Sequence, residues 1–247
     1  MAQPIGKYRK PNTIISLQNV GKSYSEKEVL RNISMHVQEG EFVSLLGPSG
    51  SGKSTIFNIV AGLQEVTTGV LSISDTIGYM QQKDLLLPWK TILENIVLPL
   101  DLQGKNKQDS RQHANELIDK VGLRGYENKY PRELSGGMRQ RANFLRTFIS
   151  SQKILLLDEP FGALDSITKG NMQKWLLSIK EEFGVTILFI THDIEEAVLL
   201  SDRIYVISSS YGQIKEEIHV DFLSDQKEQR LHSPDLLRMK QHILSML

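Results

Sequence analysis

The run Gly47-Pro48-Ser49-Gly50-Ser51-Gly52-Lys53-Ser54-Thr55 has the residue types and spacing of a loop that wraps a phosphate chain. Its glycines let the backbone come close and turn N–H groups inward. A helix behind it aims its positive end at the same place. Lys53 has the reach to meet terminal phosphates, and the Ser54 hydroxyl offers an oxygen to Mg²⁺. A Gly/Ser linker could match the pattern by accident. Here, however, an apolar run (residues 42–46) stands in front and apolar helical spacing follows from about Lys53, so the strand–turn–helix context is present.

A second constellation is Ile154-Leu155-Leu156-Leu157-Asp158-Glu159-Pro160. Four apolar residues make a buried strand and two carboxylates sit at its C-terminal end, where open α/β sheets bind ligands. Asp158 suits the shell of a magnesium ion. Glu159 suits orienting and deprotonating an attacking water.

The segment Leu134-Ser135-Gly136-Gly137-Met138-Arg139-Gln140-Arg141 completes a pattern. Beside the two motifs above, it resembles the signature of the ABC-type ATPases. Physically, Ser135 and the Gly136 and Gly137 amides at a helix start make a second anion site. In that family the site contacts the γ-phosphate held by the other subunit, so two nucleotides lie between two chains. The resemblance implies roles for further residues. Tyr24 stands where the family stacks an aromatic on adenine. Gln82 resembles the glutamine that senses Mg²⁺, although Gln81 beside it departs from the Phe or Pro of many relatives. Asp165 resembles the aspartate of the dimer seam, and His192 the histidine that grips the γ-phosphate. The implied catalytic set is Glu159, His192 and Lys53, and the implied metal set is Ser54, Gln82 and Asp158.

These residues need elements to hold them. Residues 13–20 and 29–37 alternate as strands, and residues 70–80 hold two more short ones. Thr91 with Glu94 reads as a capping box opening a helix that Pro99 helps to end. Helical spacing is expected at residues 113–121, 134–150, 167–183 and 194–201, and strands at 154–157, 185–190 and 204–207. Alternating strands and helices imply a mainly parallel sheet covered on both faces. The resemblance makes the fold α/β: a P-loop NTPase (RecA-like) core, an inserted helical subdomain and a small N-terminal antiparallel β part. It covers residues 13–220, with the core at 13–82 and 151–220 and the helical subdomain at 83–150. Residues 221–247 are expected as a tail with a short amphipathic helix, opened by Ser233-Pro234, whose stripe is Leu236, Met239, Ile243, Leu244 and Leu247.

Bulk composition agrees. A chain of 247 residues holds one sizeable α/β domain. Lysine plus arginine equals aspartate plus glutamate at 29 each, which argues against nucleic acid as the main partner. The absence of cysteine excludes disulfides and thiolate sites. No stretch approaches the ~20 apolar residues that a membrane span needs, and the N-terminus has no apolar core of a secretory signal. The chain is therefore expected in the cytoplasm; if it works at a membrane, another protein must hold it there, and the resemblance implies the cytoplasmic face of the cell membrane.

The details of Leu85-Leu86-Leu87-Pro88-Trp89, the signature and the stretch from Asp158 to Asp165 are similar to the importer group for nitrate, sulfonates, taurine and thiamine-precursor pyrimidines. The segment 142–150 departs from the commonest family version but keeps helical apolar spacing. The resemblance implies ATP and Mg²⁺, a homodimer, transmembrane permease subunits, and indirectly an extracytoplasmic solute-binding protein. Three rival classes fit these residues less well. Asp75-Thr76-Ile77-Gly78 and Asn106-Lys107-Gln108-Asp109 match short GTPase patterns, but the residues before Asn106 are too polar for the buried strand that guanine reading needs. A soluble ABC protein acting on DNA or ribosomes usually carries two cassettes or large inserts, and an exporter half usually carries its own spans.

Overall fold

The computed structural model describes residues 12–25, 27–151, 153–208, 211–220 and 234–247. In chain order the strands are β1 (Thr13–Tyr24), β2 (Lys27–Gln38), β3 (Phe42–Leu46), β4 (Thr68–Ile73), β5 (Ile77–Met80), β6 (Ile154–Asp158), β7 (Thr186–Thr191), β8 (Arg203–Ile207) and β9 (Ile214–His219). The helices are α1 (Lys53–Val60), α2 (Ile92–Leu102), α3 (Lys107–Lys120), α4 (Gly136–Ser151), α5 (Ser166–Phe183), α6 (Ile194–Leu200) and α7 (Pro234–Leu244).

A three-stranded antiparallel sheet, β2-β1-β4, lies beside a six-stranded sheet of order β5-β6-β7-β3-β8-β9. In the larger sheet the neighbours from β5 to β8 pair in parallel, and β9 runs antiparallel to β8. Every residue of β3, β6, β7 and β8 is buried. Continuous apolar strands are what a parallel sheet covered on both faces demands. The order matters for chemistry. The phosphate loop follows β3, the acid pair closes β6 and His192 follows β7, and these strands are neighbours. Their C-terminal ends therefore converge on one edge of the sheet.

Helices α2, α3 and α4 share an apolar cluster, including Ile96, Ile118, Leu145 and Phe148, with Leu155, Leu157 and Phe189 of the sheet. Thr91 and Glu94 do form the capping box of α2, but Pro99 lies inside that helix, which runs on to Leu102. The buried first turns, with Ile92, Asn95, Ile96 and Val97, hold the helix despite one missing donor near its end. Helix α3 starts at Lys107, well before the expected 113. Its N-cap is Asn106, whose side chain accepts from the Gln108 and Asp109 amides at 2.8 and 3.2 Å. The Asn106–Asp109 resemblance to a guanine motif is thus a helix cap. Asn106→Ala is expected to destabilise the chain by about 1 kcal/mol, read as a lower urea midpoint with an unchanged slope.

Strand β9 escaped the sequence reading because its charged residues hide the alternation: of Ile214–His219 only Ile218 is buried. Charge on such an edge strand also deters pairing with other chains. Helix α7 seats Ile243, fully buried, with Leu236 and Met239, and Met246 just beyond its end, against Ile194, Val198, Val206 and Ile218. Leu244 and Leu247 are exposed, so the expected stripe is narrower than read. Ser233 lies outside the described residues. Among the described residues no helix is long and apolar enough to cross a membrane.

Candidate functional site

The loop after β3 turns through Gly50 and Gly52, at φ 80° and 90°. Those values suit glycine and cost other residues strain. A Cβ on Gly52 would stand 2.6 Å from Cδ2 of Leu30, and one on Gly47 would stand 2.6 Å from the Ile207 carbonyl oxygen. Gly52 is therefore required by close packing and by turn geometry, Gly47 by close packing and Gly50 by turn geometry. Lys53 is buried, and its ammonium donates to the carbonyls of Gly47 and Pro48 at 2.7 and 2.8 Å. Burial pushes the ammonium below the ordinary lysine range, and Glu159 and Asp158 oppose that shift. Ser51 is buried, and its Oγ has no hydrogen-bond partner among the described residues.

Asp158 is buried at the end of β6. Desolvation raises its carboxyl above the usual range and neighbouring Glu159 adds to this, while Ser54, Lys53 and Tyr79 oppose it. The Tyr79 hydroxyl donates to Asp158 at 3.5 Å, and burial first, then Asp158, push that phenol up to about 12. Tyr79 was missed in the sequence; a tyrosine in a short strand carries no signal that it will face a carboxylate.

Glu159 sits at φ 45°, a left-handed conformation that is strained for a residue with a side chain. Its amide donates to the Ile190 carbonyl at 3.0 Å, which ties the turn to β7. One carboxylate oxygen accepts from the Gln82 side-chain amide at 3.0 Å, and the other lies 3.2 Å from His192 Nδ1. Residues from three separate turns thus meet at one carboxylate. Beside it, a cleft of about 330 Å³ is lined by Ser49, Gly50, Gly52, Lys53, Ser54 and Thr55, and reaches Gln82 and Glu159.

Other expected site residues do not line this cleft in the single chain. Tyr24 ends β1, about two-fifths exposed, and its hydroxyl meets Gln64. The Ser135 Oγ accepts from the Met138 amide at 3.4 Å and so helps cap α4. A Cβ on Gly137 would lie 2.9 Å from Cγ2 of Thr168, so that glycine lets α4 approach the start of α5. Asp165 has a local task that sequence reading missed. It is the N-cap of α5, accepting from the Ile167 and Thr168 amides at 3.1 and 3.0 Å. The Thr168 hydroxyl and amide hold its carboxyl below the usual range. The signal was available, since an aspartate before a helix is a favoured cap. Of the other histidines, His36 bonds Arg203 within the fold and His242 pairs with Glu216; His232 lies outside the described residues.

A glycine loop with a buried ammonium after one parallel strand, and an acid pair closing another, define a P-loop nucleoside triphosphatase. Comparison with known proteins narrows this. The family model described as ABC transporter matches residues 30–162. The formylaminopyrimidine import ATP-binding protein ThiZ of Halalkalibacterium halodurans is 48% identical over 79% of this chain and 80% of its own. The nitrate import ATP-binding protein NrtD of a Synechocystis species is 42% identical over 80% and 77%, and the taurine import ATP-binding protein TauB of Yersinia pestis is 38% identical over 85% of each. Among solved structures, a dimeric ATP-binding cassette in a post-hydrolysis state, bound to ADP and Pi, superimposes with a TM-score of 0.73 at 33% identity, covering 85% of this chain and 100% of that one. The chain belongs to the ABC transporter family, among its ATP-binding, ATP-hydrolysing subunits.

Proposed function

We propose that this chain drives an ABC importer: ATP closes a dimer of two copies, and closure is coupled to solute uptake through separate transmembrane permease subunits. The cassette is assigned to residues 13–220. The observation that carries the proposal is the meeting of Gln82, His192 and Glu159 beside the Lys53 loop. The names of the relatives support a small organic or inorganic anion, or a pyrimidine-type precursor, as solute. An extracytoplasmic solute-binding protein would deliver it, and the subunit would sit on the cytoplasmic face of the membrane.

The residues divide the work. The amides of residues 47–55 and the Lys53 ammonium hold the triphosphate, and Tyr24 stacks on the base. The cleft of about 330 Å³ over the glycine loop, lined by the Lys53 and Ser54 side chains, fits a phosphate chain. Ser54, Asp158 and Gln82 offer the hard oxygen donors that Mg²⁺ takes. When bound, that ion offsets phosphate charge. Glu159 holds the attacking water and takes its proton, and His192 meets the γ-phosphate. Ser135, Gly136 and Gly137 at the start of α4 face the nucleotide of the opposite copy, with Asp165 at the seam. Exposed Leu85 and Trp89, beside buried Leu86, offer an apolar surface to a permease helix.

The test is capture of tagged Glu159→Gln protein from native membranes with ATP present. Recovery of a multi-span membrane protein is expected. Recovery of ribosomes or nucleic acid, with no membrane protein, would overturn the importer reading.

A further inference from the structure

The link between β7 and α6 consists of His192 and Asp193 alone. The His192 side chain is 61% exposed, so few contacts of its own fix the ring. Its backbone is held from both sides instead. Ahead of it, the Thr191 hydroxyl donates to buried Glu196 and accepts from the Asp193 amide at 3.0 Å. Behind it, Asp193 Oδ1 caps α6 through the Glu195 and Glu196 amides at 2.9 and 3.3 Å. One cation closes the arrangement. The Lys169 ammonium, from α5, lies 2.7 Å from Asp193 Oδ2 and 2.7 Å from Glu196 Oε1.

We propose that Lys169 is a positioning residue for ATP hydrolysis, pinning the turn that presents His192 by bridging Asp193 and Glu196. The proposal rests on the reading of His192 as the residue that meets the γ-phosphate. Glu196 is 6% exposed, and a carboxylate so buried needs a counter-charge. Lys169 supplies it and, in the same bond set, fixes the residue next to His192. Burial works against the ammonium, but its hydrogen bonds to Asp193 and Glu196 outweigh this and hold it above the ordinary lysine range. Lys169 also sits one turn into α5, with its amide on the Asp165 carbonyl at 2.8 Å. It therefore joins the capped start of α5 to the His192 turn, without lining the phosphate cleft. Displacing a catalytic group by about 1 Å costs on the order of 100-fold in rate, and this clamp is what prevents such a displacement.

The experiment compares ATPase rates of the full chain as wild type, Lys169→Met, Lys169→Arg, His192→Ala and the double variant Lys169→Met/His192→Ala. ATP affinity is measured in each on the Glu159→Gln background. Lys169→Met should lower kcat by roughly 10-fold or more with Kd for ATP nearly unchanged. Lys169→Arg should restore most of the rate. Added to His192→Ala, the Lys169→Met change should cost less than about 2-fold, because coupled residues are not additive. Should Lys169→Met fail to fold, Asp193→Asn takes its place, since asparagine keeps the cap but removes one anion of the bridge. A normal kcat in Lys169→Met, or losses that multiply in the double variant, would overturn the proposal while leaving His192 in its role. A normal kcat in His192→Ala would instead defeat the reading of His192, and the proposal with it.

Discussion

Glu159→Gln should still bind ATP but hydrolyse it at least about 100-fold more slowly, the scale of a lost general base. The substitution is nearly isosteric. The replacement amide keeps an oxygen to accept from Gln82, now at 3.0 Å, and leaves the glycine loop and Lys53 untouched. What it loses is the basic carboxylate to which we assign the proton of the attacking water. Electrostatics work in the same direction for binding. Desolvation is the larger cause of the raised Asp158 carboxyl, but repulsion from Glu159 adds to it. Neutralising Glu159 should leave Asp158 more firmly ionised and the triphosphate less repelled. With ATP trapped, the closed dimer should persist. Phosphate release measures the rate, and size-exclusion chromatography with and without ATP measures the dimer. A wild-type turnover rate would remove Glu159 from the role of base.

The phosphate loop and the acid pair were legible because each is tied to a local pattern, whereas Gln82, His192, Tyr24 and Asp165 came only with the family resemblance. The loop of residues 47–55 and the acid pair Asp158-Glu159 sit at strand ends, and strand ends in parallel sheets show as short apolar runs. What joined them was not legible. The neighbouring of β6, β7 and β3 depends on strand order, and only that order brings His192 to Glu159. Elements with mixed character were misread for physical reasons. The first turns of α3 are polar because that face is in solvent, so only the Asn106 cap marks its start. Pro99 was given more power to stop a helix than it has where burial holds the preceding turns. The Lys169 bridge depends on α5 lying beside α6, which no spacing in the sequence announces. Tyr24, Ser135–Gly137 and Asp165 remain apart from the single-chain cleft, and their roles rest on the family pattern and on a second copy.

Arg203→Met should cost about 3–5 kcal/mol of stability, the usual range when a buried ion pair loses one partner. For a chain of this size that lowers Tm by roughly 6–20 °C. Arg203 is 3% exposed at the start of β8. It grips Glu41 with two parallel bonds of 2.7 and 2.8 Å, Glu217 with one of 2.5 Å, and the His36 carbonyl with one of 2.8 Å. These partners come from β2, from the turn before β3, and from β9. One guanidinium thus joins the antiparallel sheet, which carries Tyr24, to the parallel sheet, which carries the phosphate loop. Methionine would match much of the volume and leave Glu41 without its cation. The effect should depend on pH in a definite direction. Burial would raise Glu217, but Arg203 outweighs it and holds the carboxyl below its ordinary 4.5. A depressed folded-state value means stability that is present above the unfolded value and lost as pH falls through the folded one. The gap in stability between wild type and variant should therefore be widest near neutral pH and narrow in acid below about pH 4.5. Urea unfolding at neutral pH and at successively lower pH tests this; a gap that stays constant would show that the Glu217 bond contributes nothing. Because the joint also sets the distance between Tyr24 and residues 47–55, the folded fraction of the variant should bind ATP more weakly than wild type, at a temperature where both are native.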